Sequence, residues 1–99
     1  MAARTIRWTK LATAQFRAAI NYIKQDSDQN GEKVREKIIS KIDQLAEGIL
    51  VHRKDPYKKD NDGSFLYFEI EKYRIVYQAK QNEIIIIRVR HTSMEPKMY

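Results

Sequence analysis

The chain has 99 residues, 19 Lys and Arg against 13 Asp and Glu, a formal charge of +6, two histidines and no cysteine. That length supports one modest core, a single domain over residues 1–99. Without cysteine there is no disulfide framework, and His52 and His91 are too few for a histidine cluster, so neither a metal nor another cofactor is expected. No apolar run approaches the roughly 20 residues of a membrane span, and Met1-Ala2-Ala3-Arg4 opens no signal-peptide apolar region. A cytoplasmic protein with no membrane contact is expected, and its positive charge points to nucleic acid, a ribosomal surface or an acidic protein partner.

Thr5-Ile6-Arg7-Trp8 is rich in strand formers and predicts a first strand. Thr9 is placed to cap a helix whose apolar face is Ala12, Phe16, Ala19, Ile20 and Ile23. The segment Asp26–Gly31 breaks that helix and supplies caps for the next. A second stripe follows at Val34, Ile38, Ile42, Leu45 and Ile49, with Gly48 where a helix-terminating glycine belongs. Two helices joined by a short turn make an antiparallel hairpin. Residues 50–63 are polar and irregular, with Pro56, the turn pair Asp62-Gly63 and the cations His52, Arg53, Lys54, Lys58 and Lys59. Phe65–Ile70 predicts a strand, and Tyr73–Tyr77 and Ile84–His91 predict two more around the turn Lys80-Gln81-Asn82. The tail, Thr92 to Tyr99, contains Pro96 and is expected along the surface.

The element order is β-α-α-β-β-β. It predicts an α+β fold, an antiparallel sheet with the N-terminal helix hairpin packed on one face. The other face is left open or covered by a partner.

Arg74, Arg88, Arg90 and His91 are set into apolar strands, where a charged side chain is costly unless paired or reaching a polar site. Turn length decides which of them meet, because cross-strand neighbours share a face. A three-residue loop puts Arg74 on the face of Arg88 and Arg90. A loop of two or four residues puts it with Ile85, Ile87, Val89 and His91. The run Ile84–Ile87 is apolar on both faces and does not choose between them, and a β-bulge changes the answer.

The ordered set of Trp8-Thr9 leading a helix that ends near Tyr22-Ile23, a second helix with Ile38, Ile42 and Leu45, then Tyr73-Arg74-Ile75-Val76-Tyr77 and Ile86-Ile87-Arg88-Val89-Arg90-His91 resembles the RelE/ParE family of bacterial type II toxins. The resemblance covers nearly the whole chain. It implies a toxin neutralised by a cognate antitoxin. RelE-like members cut messenger RNA in the ribosomal decoding site without a metal. ParE-like members share the fold, poison DNA gyrase and are not nucleases. The expected activity is that of a RelE-like ribosome-dependent mRNA endonuclease, with a ParE-like gyrase inhibitor or a non-toxic basic RNA-binding module as the alternatives. By this resemblance Arg74 corresponds to the family's functional arginine, and His91 to the histidine ending the last strand. Many relatives carry an arginine on the preceding strand. Phe65-Leu66-Tyr67-Phe68 has none, which weighs against nuclease activity.

Metal-free RNA cleavage requires deprotonation of the 2′-hydroxyl, stabilisation of charge at phosphate and protonation of the leaving oxygen. Arg74 and Arg88 supply bidentate phosphate contacts. His91 supplies an acid or base, and Glu69 or Glu71 a base. Lys58, Lys59 and Arg90 line the backbone of bound RNA, with Tyr99 stacking on a base. The alternative roles are structural. Arg74 braces the sheet by pairing with Glu69 or Glu71, His91 bonds to backbone, Lys58 and Lys59 are solvated, and Trp8, Tyr22, Tyr73 and Tyr77 are core.

Overall fold

A computed structural model describes residues 3–48 and 52–99; Ile49, predicted on the second helical stripe, lies outside them. The elements run β1 (Thr5–Trp8), α1 (Lys10–Asp26), α2 (Asp28–Ala46), β2 (Arg53–Lys54), β3 (Phe65–Ile70), β4 (Tyr73–Ala79) and β5 (Glu83–His91). The architecture is the expected α+β one, a helix hairpin against one face of a sheet ordered β1-β5-β4-β3-β2. The three C-terminal strands form the antiparallel meander. Two features differ from the sequence reading. β1 joins β5 in parallel, from Thr5↔Glu83 to Trp8↔Ile86, so the sheet is mixed. The two residues of β2 add a fifth strand inside the segment read as irregular.

Local chemistry explains the helix ends. The Thr9 side chain accepts the Ala12 N–H at 3.0 Å, and its own N–H and hydroxyl bond the carbonyls of Ile86 and Ile87, tying the start of α1 to β5. Ser27 alone separates the helices, accepting the Asn30 N–H while its own N–H donates to Ile23. The break is therefore narrower than Asp26–Gly31. Gly31 is buried in the first turns of α2, and a Cβ there would collide with Cγ of Lys24, so glycine permits the close approach of α1. Gly48, with φ of 74°, follows the last turn of α2 as predicted.

The core lies between the helices and the sheet. Ala12 and Ile20 of α1 and Val34, Ile38, Ile42 and Leu45 of α2 pack on Phe68, Tyr73, Ile75, Tyr77, Ile84, Ile86 and Val89. Trp8 and Phe16 pack against it with ring centroids 5.1 Å apart. Tyr77 is buried, and burial pushes its hydroxyl up to about 12; it sits 2.6 Å from His52 Nδ1. Tyr22 departs from the expectation of a core tyrosine: it is 71% exposed, at the mouth of a cleft beside Tyr73 and His91. Among the described residues, no helix is long and apolar enough to cross a membrane.

Candidate functional site

Register builds the site. Around the turn, Lys80 N–H bonds the Glu83 carbonyl, and Ala79 faces Ile84. Continued unchanged, that register would set Arg74 against Val89. A bulge opposite Val76/Tyr77 takes up Ile87, so Val76 faces Arg88 and Arg74 faces Arg90. Arg74, Arg88 and Arg90 thus share the face turned away from the helices. β3 contributes Glu69 opposite Arg74, and Tyr67 opposite Val76. Beyond Trp8, β5 has lost its β1 neighbour, and the Gln15 side chain accepts the Val89 N–H at 2.8 Å instead.

The partner of Arg74 is Asp55, which the sequence reading missed. Its signal is only the pair Asp55-Pro56 in a polar loop, where an Asp favours a side-chain-bonded turn. Asp55 is 2% exposed, and its Oδ1 accepts Arg74 Nη2 at 2.7 Å and the Tyr57 N–H at 3.2 Å. Its Oδ2 accepts the Tyr99 hydroxyl at 2.6 Å. The loop is pinned around it: Asp55 N–H bonds the Phe65 carbonyl, and Asn61 donates to the carbonyls of Asp55 and Phe65 while accepting from Gly63 and Phe65 N–H. Burial pushes the Asp55 carboxyl upward, but hydrogen bonds from Tyr99, Arg74 and Tyr57 outweigh it, and the group lies below its ordinary range. The anticipated brace from Arg74 to Glu69 or Glu71 is replaced by this pair. Glu69 is exposed, and Glu71 pairs with Lys37 at 2.7 Å.

Arg74 is also clamped by rings, its guanidinium carbon 3.5 Å from the Tyr67 centroid and 5.0 Å from that of Tyr57. Arg88 is 9% exposed, lies 4.7 Å from the Tyr99 ring and donates to the Lys97 carbonyl at 3.1 Å. Burial, with repulsion from Arg90, holds its pKa below the usual value. Arg90 donates to the Glu95 carbonyl at 3.2 Å.

The face is therefore not left open. The segment Thr92–Tyr99 returns across it and ends between Tyr57 and Lys59, with Tyr99 N–H bonding the Tyr57 carbonyl and Lys59 N–H bonding that of Tyr99. Val76, at 1% exposure, lies buried beneath this cover. What remains is a cleft of about 180 Å³ lined by Asp55, Glu69, Arg74, Arg88, Arg90 and His91 among others.

His91 enters from the other side. It faces Tyr73, on the helix-packed face of the sheet, and reaches the cleft only because β5 ends there. Its Nδ1 lies 2.7 Å from the Ser93 hydroxyl and accepts the Ser93 N–H at 3.0 Å, which assigns the proton of the neutral ring to Nε2. Lys58 lies outside the cleft, 4.9 Å from the Phe65 centroid and 5.6 Å from that of Tyr99; Lys59 is exposed beside it. Tyr99, anticipated as a stacking platform, is itself part of the latch.

Fold and site together define a small basic α+β protein whose arginine face is closed around one buried carboxylate. Residues 6–96 match the family described as ParE toxin of type II toxin-antitoxin system, parDE. No curated protein matches the sequence. Among solved structures, the chain resembles one of a chromosomal ParDE TA system from P. aeruginosa, with TM-score 0.66 and 17% identity over 94% of this chain and 100% of that one. It also resembles the YoeB dimer from Staphylococcus aureus, with TM-score 0.54 and 19% identity over 91% of this chain and 98% of that one. The chain belongs to the ParE toxin family of type II toxin–antitoxin systems.

Proposed function

We propose that this toxin acts by binding, as a ParE-like inhibitor of DNA gyrase, and that a cognate antitoxin neutralises it. The observation that carries this reading is the state of Asp55. A general base works best with a pKa near the operating pH and a lone pair facing the proton it removes. Asp55 has the opposite properties: it is buried, it is shifted downward, and Arg74, Tyr57 and Tyr99 occupy its oxygens. Arg74 is spent on holding it. Asp55 and Arg74 thus act on each other as a brace, although Glu69 and His91 line the same cleft. The family match to ParE toxins supports the same reading, as does the absence of arginine from Phe65–Phe68.

The RelE-like reading rests on one observation, that Arg74, Arg88, Arg90, His91 and Glu69 line a single cleft. One experiment separates the two. Expression without an antitoxin is expected to arrest growth, with relaxed or broken plasmid DNA while amino-acid incorporation persists. Collapse of translation with normal plasmid supercoiling would replace the gyrase reading with the ribosomal one. Undisturbed growth with soluble, folded protein would contradict both.

A further inference from the structure

The surface of α2 is divided by charge. Val34, Ile38, Ile42 and Leu45 face the core. Lys33, Lys37 and Lys41, four residues apart, stack on one exposed flank, each about 6 Å along the helix axis from the next. Glu32, Glu36 and Asp43 fall on the other exposed flank. The acidic flank borders α1, where Glu32 pairs with Lys24 at 2.6 Å. The lysine flank borders the end of β3, where the three lysines, Gln44 and Ile70 line a groove with Glu36 on its wall.

The three lysine charges are poorly compensated. Lys37 pairs with Glu71 at 2.7 Å, but the side chains are 58% and 37% exposed, and a pair so solvated contributes little and exchanges readily for another anion. Among the described residues, Lys33 and Lys41 make no ion pair. The flank also lacks the parts of a protein interface, whose centre is apolar and aromatic and from which lysine is depleted. Among the described residues, the exposed large apolar side chains Leu11, Tyr22, Met94 and Met98 lie on α1 or after β5, none of them on α2. Nor does α2 carry an aromatic ring on which the bases of a single strand could stack. A straight row of compact ammonium groups fits instead the phosphate backbone of a duplex, bound through charge and not sequence.

We infer that the Lys33, Lys37 and Lys41 flank of α2 binds the phosphate backbone of duplex DNA. The choice of DNA rests on the gyrase reading, since the flank gives the toxin a hold on the duplex that gyrase engages. α2 packs on the side of the sheet opposite Arg74, Arg88 and Arg90, so this basic surface is separate from the arginine cleft. Its test contains no gyrase. Duplex binding by a toxin that leaves supercoiling intact would uphold this inference and refute the gyrase reading. Gyrase inhibition without duplex binding would do the reverse.

The probe is a short fluorescein-labelled DNA duplex titrated with the full-length protein and followed by anisotropy. The comparators are one strand of that duplex, an RNA duplex of the same sequence and a Glu-rich peptide. The DNA duplex is expected to bind in low salt, and to bind more tightly than any comparator. Its log affinity should fall with log salt at a slope of about −2 to −3, as release of counterions from three phosphates requires. The triple variant Lys33→Gln, Lys37→Gln, Lys41→Gln should bind about tenfold more weakly or worse and lose most of that slope. Glutamine keeps the helix propensity, and melting temperatures show that the variant is folded. A control triple, Lys10→Gln, Arg17→Gln, Lys80→Gln, removes the same charge from exposed positions on α1 and the β4–β5 turn, and should bind within about twofold of the parent. No duplex binding by folded protein, equal losses in the two triple variants, or tighter binding of the peptide, the single strand or the RNA duplex would each overturn the proposal.

Discussion

Arg74 and Asp55 are 19 residues apart in the chain and 2.7 Å apart in the fold, with the carboxylate side chain 1% exposed. Removing one partner of such a pair strands a buried charge. Arg74→Ala should therefore cost about 2–4 kcal/mol, at or below the usual range because Asp55 keeps two other donors. That corresponds to a fall in melting temperature of roughly 10 °C or more for a chain this size. Arg74→Lys should recover less than half, since lysine keeps the charge and loses the planar fork between Tyr57 and Tyr67. An alanine variant melting with the parent would show that the pair holds nothing together. Asp55 makes a second prediction, in pH. A carboxyl whose folded pKa lies below its unfolded value of about 3.8 stabilises the fold wherever the unfolded group is ionised. That contribution is present above pH 3.8 and disappears as pH falls through the lower, folded value. Acid unfolding should thus steepen below that pH, and Asp55→Asn should flatten the curve in that window while lowering stability at pH 7. Equal acid slopes for parent and variant would show that Asp55 ionisation does not contribute to stability.

At the scale of elements, the β3–β4 hairpin turns on Glu71 and Lys72, with φ of 52° and 67°. Two left-handed residues are the signature of a type I′ turn, which favours glycine at the second position. Lys72→Gly should raise stability by about 0.5–1 kcal/mol in urea unfolding, because relief of side-chain strain exceeds the added freedom of the unfolded chain. A loss of stability would mean that the Lys72 side chain makes a contact worth more than the strain. The elements themselves were legible because their signals are local: the Thr9 cap, the two apolar stripes, Gly48 and the turn at Lys80–Asn82. The site was less legible because it depends on pairing at a distance. Nothing in Thr5–Trp8 shows that it joins β5 in parallel. The run Ile84–Ile87 hides the bulge at Ile87, since isoleucine suits either face, and that bulge decides whether Arg74 meets Arg90 or Val89. Asp55 lies in a polar loop among other charges, and only the folded loop around Asn61 brings it under Arg74. Tyr22 lies off the apolar stripe Ala12, Phe16, Ala19, Ile20 and Ile23, and is exposed.

The whole molecule carries +6 and leaves Leu11, Tyr22, Met94 and Met98 more than half exposed. Basic charge beside exposed apolar side chains fits association with an acidic, amphipathic protein. The antitoxin complex is expected to form more slowly as salt rises, with a smaller change in dissociation; an association rate indifferent to salt would contradict electrostatic steering. The proposed function is inhibition by binding, with Asp55, the buried carboxylate among the described residues, committed to structure. The most direct test is a DNA supercoiling assay with purified gyrase, ATP and relaxed plasmid, titrated with purified toxin. Concentration-dependent loss of supercoiling is expected, retained by Asp55→Asn wherever that variant is folded. Full supercoiling at saturating, folded toxin would contradict it.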